Sequence, residues 1–187
     1  MDLAHLLADT VVARAIGAAL SVVLLAGAWQ KLRERELFQA ALENYQLVPE
    51  SWLHPLATAL PLLELAAGVL LLVASTRTLG AFLAALLLLV VTGAVVINLL
   101  RGRRDIDCGC GGLSAHVGEQ TLSWGLVVRN LVLLGAVLAS LPDTETRALV
   151  WIDYLSAAGT TLALLGLYVC ANQLMANHPR LQALRMH

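Results

Sequence analysis

Two cysteines stand two residues apart in Arg101-Gly102-Arg103-Arg104-Asp105-Ile106-Asp107-Cys108-Gly109-Cys110-Gly111-Gly112. That spacing admits thiol–disulfide chemistry. A disulfide needs Cα atoms about 4.4–6.8 Å apart, and an extended i to i+2 pair lies near the upper end of that range, so a slight bend closes the bond. Gly109 permits the bend, and Gly111 and Gly112 free the chain beyond it. The ring so formed is small and strained, and strained, accessible disulfides are more oxidising and more labile than structural ones. Arg101, Arg103 and Arg104 favour the thiolate nucleophile, while Asp105 and Asp107 oppose them. Two other readings stay open: free thiols at a tight turn, or a metal site in which His116 joins the two cysteines. The spacing is not a usual zinc pattern, so no metal is expected.

A second set of residues lies within apolar stretches. Glu64 is near the middle of one, about 18 Å from the cysteine side, and Arg129 enters another by roughly 12 Å. A charge at such depth is costly and marks a functional or bridging site. The expectation is an ion pair of Glu64 with Arg129, with Arg14 as the rival partner and Asn98 and Asn130 extending the network. Cys170 ends a further apolar stretch on the cysteine side, as a resolving thiol or a small buried hydrophobe.

These residues must be positioned by membrane helices. Of 187 residues, 59% are hydrophobic and 13% charged, and mean hydropathy is +0.77. A soluble domain has about 45–50% apolar residues with glycine included, and about 25% charged. The solvent for much of this chain is lipid. Net charge is −1, with no basic run beyond Arg103-Arg104, so no nucleic-acid surface is available. Five stretches approach the ~20 residues a spanning helix needs: residues 11–29, 52–73, 78–100, 121–141 and 149–171. The expected fold is an all-α integral membrane protein, a four-helix bundle plus a fifth, C-terminal transmembrane helix. Residues 1–145 form the four-helix domain, with the cysteine loop at 101–120; residues 146–187 add the last helix and a short polar tail.

Residues 31–36, rich in charge, read as a stop-transfer flank and mark the first stretch as a span, not a signal peptide. Leu37, Phe38, Ala41, Leu42 and Tyr45 recur at helical spacing, as in an interfacial helix ended by Pro49. Trp29, Trp52 and Trp151 read as interface anchors. With five spans, the cysteine side holds eight cations, Lys31, Arg33, Arg35, Arg101, Arg103, Arg104, Arg180 and Arg185, against Arg14, Arg77 and Arg147 opposite. The count alone places the cysteine loop in the cytoplasm.

Several stretches, in order, resemble the MauE family of methylamine utilisation proteins, related to DoxX-like membrane proteins. They are Arg14 with Gly27 and Lys31; Tyr45 to Pro49; Pro61-Leu62-Leu63-Glu64 with Gly68; Asn98 to Arg101 running into Asp107-Cys108-Gly109-Cys110-Gly111-Gly112; and Arg129-Asn130. The resemblance covers roughly residues 10–141. The fifth stretch departs from the four-helix core of the wider group. The resemblance implies a multi-pass protein of the bacterial inner membrane that helps mature methylamine dehydrogenase, whose small β-subunit is rich in disulfides and carries a tryptophan-derived quinone. The implied partners are that subunit and a thioredoxin-like, MauD-type protein. A periplasmic client asks for a periplasmic cysteine loop, against the charge count.

Three functions compete. The first is a thiol–disulfide oxidoreductase in which Cys108 and Cys110 are catalytic, Arg101, Arg103, Arg104 and Asp107 support them, and a membrane quinone is the candidate electron acceptor. The second is a non-catalytic assembly factor that docks the MauD-type partner or the subunit. The third, a transporter using Glu64 and Arg129, lacks paired repeats and two broken helices.

Overall fold

The computed structural model describes residues 10–110, 113, 120–141 and 150–185, the last eight by backbone only. Among the described residues six α-helices follow one another: α1 (Thr10–Arg33), α2 (Arg35–Tyr45), α3 (Glu50–Leu72), α4 (Arg77–Leu100), α5 (Trp124–Ala139) and α6 (Trp151–Arg185). A single turn of 3₁₀ helix, Ala74–Thr76, joins α3 to α4. Among the described residues the extended pairing is one antiparallel bridge, Asp107 with Thr121. The fold is all-helical, as expected.

Unlike a soluble protein, the bundle is apolar on its outside as well as in its core. Its interior holds polar groups, with Ser21, Lys31, Glu64, Asn98, Asn130 and Asn172 all buried. Its outside displays Phe82, Leu86, Leu89 and Val90 of α4, Val128 and Val132 of α5, and Leu155, Leu162 and Leu167 of α6. Water would penalise such a surface, whereas lipid solvates it. Among the described residues four helical segments are long and apolar enough to cross a membrane: Thr10–Arg33, Glu50–Leu72, Ala74–Leu100 and Trp151–Asn177. The chain is a multi-pass membrane protein. The expected set of five is reached only in part, and the short member is the fourth, not the C-terminal one. Helix α5 has 16 residues, about 24 Å at the α-helical rise, against a hydrocarbon core of ~30 Å.

Helix α1 packs on α3, α5 and α6; α3 packs on α4, and α4 on α5. Ser21 Oγ donates to the Gly68 carbonyl at 2.7 Å, fixing a close antiparallel crossing of α1 and α3. A core of Leu20, Ala67, Leu71, Ala81, Ala84, Leu87 and Val137 fills the bundle centre. The amphipathic helix forms as α2, with Phe38, Ala41 and Tyr45 buried against the bundle. Leu37, at the edge of the stripe these three form, is exposed. Trp29, Trp52 and Trp151 are exposed near helix ends, the position of interface anchors.

The α3–α4 hairpin turns tightly. A Cβ at Gly80 stands 2.7 Å from the Leu71 nitrogen and 2.8 Å from the Leu70 carbonyl carbon. Both are backbone atoms of the facing helix end and cannot rotate away. Gly80→Ala is therefore expected to destabilise the protein by about 1–3 kcal/mol, read as a lower thermal midpoint in detergent. An unchanged midpoint would contradict the close crossing.

Candidate functional site

The cysteine turn is held from three directions. Ile106 to Cys108 runs extended beside Gln120 to Leu122, with Cys108 N donating to the Gln120 carbonyl at 2.7 Å and Leu122 N to the Ile106 carbonyl at 3.1 Å. Gly109 turns the chain with φ +64°, where a side chain is strained, and its N–H donates to Asp107 Oδ2 at 3.1 Å. From α2, Tyr45 Oη donates to the Cys108 carbonyl at 2.9 Å. Beneath the turn lie Val95, Leu99, Leu122, Leu126 and Val127. Cys108 and Cys110 are joined by a disulfide with their Cα atoms 5.1 Å apart. Cys108 is buried and Cys110 half-buried.

The supporting residues divide. Asp107 caps the turn. Arg103 reaches back to α2, donating to the Asn44 carbonyl at 3.2 Å and to Gln46 Oε1. A cation at unsatisfied carbonyls of a helix C-terminus is a stabilising strap. Arg101 and Arg104 are exposed. Lys31 and Arg129 line a cavity together with Cys110. Burial, with Asp107 nearby, pushes the Tyr45 phenol above its ordinary range, and Arg129 partly opposes this. Tyr45 thus keeps its proton as donor to the turn.

The expected ion pair is corrected. Glu64 pairs with Lys31, Nζ to Oε1 at 2.5 Å, with both side chains about nine-tenths buried. Its partner is neither Arg129 nor Arg14. The reason lies in the antiparallel crossing. From the Ser21–Gly68 contact, Lys31 is ten residues along α1 and Glu64 four residues back along α3, leaving ~9 Å of axial distance. Side chains lean toward their own helix N-terminus, so in this antiparallel pair they lean toward each other. The Lys31 ammonium also lies 5.4 Å from the Phe38 ring centroid. Glu64 Oε2 is buried with no hydrogen-bond partner among the described residues.

Arg129 is held by amides instead. It donates to Asn172 Oδ1 at 2.9 Å, to Asn130 Oδ1 at 3.2 Å and to Gln120 Oε1 at 3.5 Å, and Gln120 Nε2 donates to Asn172 Oδ1 at 3.1 Å. Arg14 lines a separate cavity with Asp153 between α1 and α6. Asn130 joins this cluster as anticipated, whereas Asn98 turns to its own helix at the Ala94 carbonyl, 3.1 Å away. Cys170 is a free, exposed thiol on α6. His116, and with it the metal reading, lies outside the described residues.

A cavity of about 410 Å³ opens between α2, α3 and α4, with Cys108, Gly109 and Cys110 on one wall and Lys31 and Glu64 on another. Sequence reasoning missed Lys31, Gln120 and Asn172 as site residues. Lys31 was legible as a charge beside a span; the two amides gave no signal, since Asn172 belongs to the last helix.

A family model described as methylamine utilisation protein MauE matches residues 9–142. The chain belongs to the MauE family. Among its relatives, a methylamine utilization protein MauE of Paracoccus denitrificans is 42% identical over 122 residues, 64% of this chain and 63% of that protein. Another, from Methylorubrum extorquens, is 42% identical over 127 residues, 67% of this chain and 66% of the relative. A third, from Paracoccus versutus, is 32% identical over 169 residues, 86% of this chain and 87% of the relative. The P. denitrificans match thus spans just under two thirds of that relative's length. No solved structure matches the chain. The family match takes in α1 to α5, the cysteine turn and the Lys31–Glu64 pair; α6, which supplies Asn172, falls outside it.

Proposed function

We propose that this MauE-family chain is a thiol–disulfide protein of the bacterial inner membrane that assists disulfide formation in the methylamine dehydrogenase β-subunit, together with a thioredoxin-like partner of the MauD type. One observation carries this reading: a disulfide across a single glycine, held by Tyr45, Asp107 and the Gln120 strand at a bundle end, bridges too short a loop to staple the fold. Loop-closure stabilisation grows with the number of residues enclosed, so exchange is the better account. A partner thiolate attacks Cys110, the less buried sulfur; a mixed disulfide forms and the Cys108 thiolate leaves. The partner's second thiolate then releases the Cys110 thiolate, leaving an oxidised partner and a reduced Cys108/Cys110 pair. In this reading the chain crosses the membrane five times, with α5 as the fourth crossing, and the turn faces the periplasm, where such clients fold. The charge count against this side is weakened because Lys31 is neutralised by Glu64 inside the bundle.

The test is a Cys108→Ser/Cys110→Ser double substitution in a host growing on methylamine. The expected result is loss of mature dehydrogenase with the membrane protein still present. A docking factor keeps most of that maturation, and that outcome overturns the redox reading. Labelling of reduced whole cells at Cys108 and Cys110 with a membrane-impermeant maleimide tests the side.

A further inference from the structure

We infer that the cavity between α2, α3 and α4 binds a lipid-soluble quinone, which takes the electrons of the reduced Cys108/Cys110 pair. The inference rests on the thiol–disulfide reading above. The cavity's volume, about 410 Å³, falls within the ~300–1,000 Å³ typical of small-ligand sites. Its wall is apolar apart from Lys31, Tyr45, Glu64 and the cysteine turn. Its rim includes Val90 and Ile97, both exposed on α4, a helix of membrane-spanning length. A ligand entering there comes from acyl chains, not from water.

The polar groups describe the ligand's head. Lys31 offers hydrogen-bond donors, and Glu64 Oε2 offers an acceptor that no protein group satisfies among the described residues. A buried acceptor without a donor is unfavourable. A quinone carbonyl accepts from the ammonium, and the quinol hydroxyl donates to the carboxylate, so one site serves both redox states. A plain acyl chain serves neither. Cys108 and Cys110 line the same cavity, which puts donor and acceptor of electrons in one enclosure.

The step balances. Two S–H bonds break, one S–S bond forms, and two electrons and two protons pass to the quinone, whose carbonyl oxygens become hydroxyls. The dithiol is oxidised and the quinone reduced; no further oxidant is required.

Gly93 provides the test, because it lines the cavity and a Cβ built on it meets nothing within 4 Å. The protein is reduced in quinone-free nanodiscs, then mixed anaerobically with a short-chain ubiquinone or, in a second arm, a short-chain menaquinone. Both are fully substituted, so thiols cannot add to the ring. Disulfide return is followed by alkylation and mass, quinol formation by absorbance. The expected result is reoxidation that saturates with one of the two quinones, and a Gly93→Phe rate lower by at least about tenfold. Failure of both quinones to reoxidise the dithiol, or an undiminished Gly93→Phe rate, overturns the proposal. Should Gly93→Phe not fold, an azidoquinone photolabel on wild-type protein decides: attachment to the α4 segment around Gly93 supports the site, and attachment elsewhere overturns it. Oxidised protein mixed with a dithiol peptide is assayed alongside without quinone. Exchange there with no quinone reaction removes this inference alone; absence of exchange removes the underlying thiol–disulfide reading.

Discussion

Removing one partner of the Lys31–Glu64 pair is expected to destabilise the protein more than removing both. Each side chain is about nine-tenths buried, and their contact is 2.5 Å. Glu64→Gln leaves the Lys31 ammonium in the bundle without its counter-charge, 5.4 Å from the Phe38 ring centroid; Lys31→Met leaves a carboxylate without the cation it is bonded to. Stranding one charge of a buried pair costs about 3–5 kcal/mol, while an uncharged, well-packed replacement is often close to neutral. The expected order of thermal midpoints in detergent is wild type near Lys31→Met/Glu64→Gln, with both single variants clearly lower. If instead the losses of the singles simply add in the double variant, the two residues do not act as a pair. Arg129→Gln serves as the contrast. Its hydrogen-bond partners are Asn172, Asn130 and Gln120, so its coupling to Glu64→Gln should be weaker than that of Lys31→Met.

Gly109→Ala is expected to weaken the cysteine turn itself. The residue has φ +64°, a conformation that costs a non-glycine roughly 1–2 kcal/mol. The new Cβ would also stand 3.3 Å from Ala41 Cβ and 3.4 Å from two carbons of the Phe38 ring. This contact, tighter than ordinary packing, adds to the backbone cost as far as Ala41 and Phe38, which line the adjoining cavity, do not shift into it. The turn relieves the clash by moving away from α2, stretching the Tyr45 hydrogen bond to the Cys108 carbonyl. The variant should fold but hold less of its Cys108–Cys110 disulfide at a fixed glutathione redox poise, as measured by alkylation and mass. A disulfide population equal to wild type would show that the turn does not depend on α2. Tyr45→Phe should shift the population in the same direction by less, because it removes one hydrogen bond, worth about 0.5–1.5 kcal/mol, without strain.

Local physics makes much of this protein legible in its residues. Apolar runs of spanning length fix the helices, since lipid accepts only backbone whose hydrogen bonds are satisfied within the segment. The stripe of Phe38, Ala41 and Tyr45 fixes α2 and its buried face. The cysteines two residues apart, with glycine between them, fix the turn, because i and i+2 neighbours meet through local backbone geometry alone. The partners of the deep charges are another matter. The sequence shows Glu64, Arg129, Arg14 and Lys31 as charges beside or within apolar runs, and matching depth favours Arg129. Depth along a helix axis, however, says nothing of rotation about it. The α1–α3 crossing at Ser21 and Gly68, and the opposite lean of side chains on antiparallel helices, bring Lys31 to Glu64. Rotation of α5 likewise turns Arg129 toward Asn172 of α6, a contact between residues 43 apart in the chain. The length of α5 and the cavity between α2, α3 and α4 belong to the same class. Each depends on how rigid helices pack, and packing couples residues whose separation in sequence carries no periodic signal.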